Sequence, residues 1–102
     1  MEVIAQIVRF VDGHQPGWVE CEFIDAEGRK HRFVDKVPIL SAVDLDAASS
    51  YPMAGGVSCE IVARWKDVHG RELVRVTTAR PWGIESTDGL VEFVVLAAQL
   101  SA

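Results

Sequence analysis

The sequence predicts an all-β fold, a small antiparallel β-barrel or sandwich of five to six strands with at most one short helix in the 38–56 connection. Three observations carry that prediction. Runs rich in β-branched and aromatic residues recur along the chain, bounded by Gly, Pro and Asp breaks. Two of those breaks, residues 25–29 and 67–71, share the form Asp-x-x-Gly-Arg: the aspartate bonds its own backbone and the glycine takes the left-handed conformation that closes a short hairpin loop. Finally, 102 residues leave room for one core, so the chain is expected to be a single β domain spanning 1–102.

The first strand is expected over residues 1–11. Ile4, Ile7, Val8 and Val11 fit a helical spacing, yet a run so crowded with β-branched side chains loses rotamer freedom in a helix. Two glycines and a proline within residues 12–17 then break the chain. Residues 18–34 read as a hairpin. Pairing Asp25 with Arg29 fixes its register, setting Phe23 opposite His31, Cys21 opposite Phe33, Glu22 opposite Arg32 and Ile24 opposite Lys30. One face is then mostly apolar, and the other carries an opposite-charge pair.

Residues 35–38, with Pro38, end the second strand of this hairpin, because proline donates nothing to a ladder. The connection over residues 38–56 is too apolar for a free linker. Asp44 is placed to cap a helical turn over residues 45–50, stopped by Pro52. Long connections are often functional, so this segment is expected to roof one end of the fold.

Residues 57–78 read as the hairpin on which the other strands pair or pack. Val57, Cys59, Ile61, Ala63 and Trp65 alternate with polar residues and are assigned to the core. Counting outward from Asp67 and Arg71 sets Ala63 against Arg75 on that face, so a bulge near 63–64 or 74–75 is expected to shift the phase. Residues 80–83 break the ladder, residues 86–89 turn, and residues 90–97 form a last strand with a helix-like tail.

Composition narrows the function. A formal net charge of −5 argues against a sequence-independent grip on nucleic acid. No apolar run reaches the ~20 residues that span a bilayer, and nothing resembles a signal peptide. Two cysteines are too few for a secreted disulfide framework, which makes a cytoplasmic setting the expectation.

Chemistry-bearing residues are sparse. His14, His31 and His69 have no second ligand at metal-binding spacing, so no metal is expected, and His31 reads as a core-edge histidine bonded to its neighbours. Cys21 and Cys59 fall on core faces, where a thiol behaves as a small hydrophobe. No G-x-S-x-G elbow, G-x-G-x-x-G turn or P-loop occurs, and no cofactor is implied. The binding candidates are Tyr51, Arg80 and Trp82, since aromatic and arginine residues dominate contact hot spots. Trp82, in a Pro-Trp-Gly break, is expected to plug the end of the fold in preference to anchoring a ligand. Trp18 and Trp65 are assigned to the core.

The pattern D-A-x-G-x-x-H-x-F-x-D-K-x-P over residues 25–38 resembles uncharacterised bacterial proteins and implies no activity. The leading functional expectation is a non-catalytic module that binds a protein partner or its own copy as a homodimer, with neither nucleic acid nor membrane as a partner. The alternative is a small-molecule-binding barrel or small enzyme whose pocket lies under the 38–56 loop, near Tyr51, Arg80 and Trp82.

Overall fold

A computed structural model describes residues 1–102. The longest strand, β1 (Glu2–Asp12), sends Val3, Ala5 and Ile7 inward in strict alternation. Past Ile7 the alternation is reset twice, where Val8 and Val11 have no partner on the neighbouring strand. That neighbour, β2 (Trp18–Ile24), forms a hairpin with β3 (Lys30–Lys36). Cys21 faces Phe33, Glu22 faces Arg32, Phe23 faces His31 and Ile24 faces Lys30, the register that the Asp25 turn dictates.

A one-turn helix, α1 (Val37–Leu40), follows with proline in its first turn, where a missing N–H leaves no bond unmade. The helix expected over 45–50 does not form. Asp46, not Asp44, bonds there: its Oδ1 accepts from the Ala48 amide at 2.8 Å, which offers the backbone a turn in place of a helix. The chain then returns as β4 (Met53–Ser58), pairing Val57 with Val3 and Met53 with Ile7 on the free side of β1.

The remaining strands are β5 (Glu60–Lys66), β6 (Glu72–Thr77) and β7 (Glu92–Leu96), then a 3-10 turn (Ala97–Gln99) and β8 (Leu100–Ser101). One sheet runs β3-β2-β1-β4, with β8 continuing the β2 edge of β1; the other runs β5-β6-β7. The two stack as a sandwich and do not close into a barrel. The fold is all-β and antiparallel with one short helix, as the sequence predicts. No helix is long and apolar enough to cross a membrane.

The stretch 57–78 is divided, not central. A single residue, the buried Cys59, separates β4 in one sheet from β5 in the other, and its N–H donates to the Met1 carbonyl at 3.0 Å. The strand that organises the larger sheet is β1. Beyond the corner, Val62 bulges out between the pairs Ile61–Val76 and Ala63–Arg75, one residue from the expected place. Val57 and Cys59 are buried as assigned, but Ala63 is exposed and Trp65 is 38% exposed. Both are exposed because β5 lies at a sheet edge, with the Arg75 guanidinium 5.9 Å from the Trp65 ring centroid. Trp18 is half-buried, with the Lys36 ammonium 5.8 Å from its ring centroid.

Between the sheets, Phe23, Phe33 and Phe93 pack with ring centroids 5.3–5.6 Å apart. Trp82 does not plug the fold, being 55% exposed; Ile84, two residues on, is the side chain that enters the core, at 1% exposed. The buried Thr78 hydroxyl donates to the Ile84 carbonyl at 2.6 Å, and the Ile84 amide donates back to the Thr78 carbonyl at 2.9 Å. This clamp turns Ile84 inward and leaves the indole outside. Burying one such aliphatic side chain contributes about 1.5–3 kcal/mol.

Candidate functional site

The groove of greatest interest lies where the sequence places a roof. Residues 38–42 run alongside β4 and enclose about 370 Å³ with Gly55, Gly56, Ser58, Glu2 and Trp82. Two successive glycines of β4 line the groove, their missing side chains on opposite faces of the strand. A Cβ at Gly55 would sit 2.9 Å from the Leu40 carbonyl oxygen, and one at Gly56 would sit 2.5 Å from Glu2 Oε1. Glycine therefore lets the loop close on the strand and lets the Glu2 carboxylate lie down across it. None of the ion pairs in the molecule uses Glu2.

Of the three residues singled out in the sequence, only Trp82 lines this groove. Tyr51 turns away: its hydroxyl donates to the Asp46 carbonyl at 2.7 Å and its ring packs on the edge of the core. Arg80 is held by Glu60, whose Oε1 accepts from Nε at 3.0 Å. Glu2 and the two glycines escape sequence reasoning, because their juxtaposition depends on the pairing of β1 with β4, fifty residues apart in the chain. A Gly-Gly pair inside an apolar run is the one visible signal, since it marks a close approach of backbone.

A second cleft of about 420 Å³ opens beside the β2–β3 turn, lined by Asp25, Arg29, His31, Arg75, Glu92 and Phe93 among others. The turn is built on Asp25. Its Oδ1 accepts from the Glu27 amide at 2.9 Å and the Arg29 amide at 3.0 Å, and Gly28 takes φ +83° to close the loop. The turn at Asp67 repeats this pattern, with Oδ1 accepting from His69 and Arg71 amides, both at 2.9 Å, and Gly70 at φ +79°.

They differ in the second oxygen. Asp67 Oδ2 accepts from its own Arg71 Nε at 2.7 Å, whereas Asp25 Oδ2 accepts from the buried His31 Nε2 at 2.7 Å and leaves Arg29 at 3.5 Å. Burial pushes the Asp25 carboxyl up, but the His31 ring and the Arg29 and Glu27 amides outweigh it and hold the group below its ordinary value. The His31 ring packs against Phe93 and Phe23, at centroid distances of 4.7 and 5.6 Å. An aspartate orienting a histidine is half of a catalytic relay, but no hydroxyl or thiol lines this cleft to be activated. His31 is thus the core-edge histidine the sequence predicts, with Asp25 as its partner.

Both thiols are free and buried. Burial drives Cys21 up to about 12, reinforced by Glu20, Asp35 and Glu22, and burial also raises Cys59. No group of three or more His, Cys, Asp or Glu side chains is arranged to hold a metal ion.

The third feature is β5 itself. It pairs only with β6, and all but one of its residues are exposed. Val62 is 50% exposed, and Val68 in the adjoining turn is 95% exposed. No protein-family model, curated protein or solved structure matches this chain.

Proposed function

We propose that the protein is a non-catalytic interaction module that pairs with its own copy along β5. The observation that carries this reading is the open edge of β5, where Val62 and Trp65 stand uncovered beside an unpaired row of backbone groups. The Val62 bulge and the cations Arg64 and Lys66 guard that edge against indiscriminate strand addition. An antiparallel copy centred on Ala63 meets the guard: Glu60 falls opposite Lys66 at both ends, and Ile61 falls opposite Trp65. Each opposite-charge pair contributes about 0.2–1 kcal/mol. A seven-residue edge alone is small for a permanent interface, so the dimer is weak and reversible.

The same reading places the module in a reducing, cytoplasmic setting, supported by two free and buried thiols. Light scattering across micromolar to millimolar concentrations tests the pairing. The mass is expected to rise from monomer towards dimer, Lys66→Glu is expected to abolish the rise, and adding Glu60→Lys is expected to restore it. A monomer mass throughout, or a dimer indifferent to both exchanges in variants of unchanged circular dichroism, refutes the reading.

A further inference from the structure

We propose that the groove between residues 38–42 and β4 binds a cationic alkyl group, an ammonium or guanidinium on a narrow stem, with Trp82 against the stem and head and Glu2 as its counter-ion. The charge pattern points there first. Among all the residues lining the groove, Glu2 is the only charged one. Glu2 as a residue is half-buried, and its carboxylate lies across Gly56 and pairs with no cation of the chain. A carboxylate without a partner gains a charge-assisted hydrogen bond from an incoming cation.

The aromatic wall supplies the second term. Trp82 is 55% exposed, yet the loop that carries it is pinned on both sides. Arg80 is tied to Glu60 before it, and Ile84 is sunk in the core after it. Tryptophan is the strongest aromatic partner for a cation, and a pinned ring loses little freedom on binding. The remaining lining is apolar or small, from Pro38, Ile39, Ala42 and Ala54, which suits a methylene stem. At about 370 Å³ the groove lies at the small end of ligand pockets, fit for one side chain or a small amine. The chain's net charge of −5 draws cations towards it at long range.

None of this depends on β5 pairing with a second copy, and Lys66→Glu spares both the groove lining and the Arg80–Glu60 tie. The test is a titration of the whole chain followed by ¹H–¹⁵N NMR, with n-butylammonium, an alanine-flanked lysine peptide, and n-butanol as the uncharged probe. Both cations are expected to shift the Trp82 indole N–H and the Gly55 and Gly56 amides, and butanol to leave them in place. Binding at least tenfold tighter for the peptide assigns a polypeptide source, and equal binding assigns a free amine. Glu2→Gln and Trp82→Ala are each expected to weaken binding about three- to tenfold, and added salt to weaken it further. Trp82→Phe, which keeps a ring, is expected to fall between. Equal response to butanol, unchanged affinity in Glu2→Gln, or no shift with any probe overturns the proposal.

Discussion

His31 donates a 2.7 Å hydrogen bond to Asp25 inside the protein, using the carboxylate oxygen that the equivalent Asp67 gives to its own arginine at the surface. One turn chemistry thus serves two ends: at 67–71 it only reverses the chain, and at 25–29 it also seats an imidazole among phenylalanines.

The two aspartates are therefore expected to differ in worth. Asp25→Ala strands two backbone amides and a buried imidazole N–H, and is expected to destabilise by about 2–4 kcal/mol in urea unfolding. Asp67→Ala loses the same amide bonds at an exposed turn, where water replaces them, and is expected to move the midpoint distinctly less. Equal losses would show that His31 contributes nothing through Asp25.

The Asp25 bond also sets a pH dependence. Its carboxyl is lowered on folding from an ordinary value of 3.8, so the unfolded chain takes up this proton more readily than the folded one. The contribution is complete at neutral pH and is lost as pH falls below that value and through the lower folded one. In unfolding experiments the gap between the natural chain and Asp25→Asn is expected to stay constant from pH 7 to about 5 and to shrink below about 4.

Neither cysteine is expected to react in the folded protein. With Cys21 driven up to about 12 and Cys59 also raised, iodoacetamide at pH 8 is expected to leave both unlabelled natively and to label both in denaturant. Rapid native labelling of Cys59 would mean that the corner between the sheets opens readily.

Gly28 isolates a backbone effect. A Cβ there would meet nothing within 4 Å, but its φ of +83° disfavours any side chain. Gly28→Ala is expected to cost about 1–2 kcal/mol. Gly13→Ala, equally uncrowded and without a positive φ, is expected to change stability by less than about 0.5 kcal/mol, which thermal or urea unfolding resolves.

Local chemistry made part of this fold legible. The register of β2 against β3 follows from Asp25 and Gly28 alone, because a turn of fixed geometry leaves no freedom in the pairs beside it. Long-range placement did not show. The alternation through Val57, Cys59 and Ile61 looks continuous, and nothing local marks Cys59 as the residue at which the chain changes sheet. Trp65 reads as core and Trp82 as an end plug by size, yet both are exposed, and Leu73 and Ile84 are buried nearby in the chain instead. Of the candidate site, Trp82 was visible as an aromatic in a break. Glu2 was not, since its role depends on Gly56 lying beneath it.

The crossing at Cys59 has a mirror in the chain, because β7 passes through residues 97–99 to return as β8 on the first sheet. Each layer is thus stitched to the other by covalent backbone at two places. Peeling one layer away drags strands out of both, so neither sheet is a separable folding unit. Deuterium uptake at the slowest amides of β1 and β6 should accordingly run on a single clock and slow together under any stabilising condition.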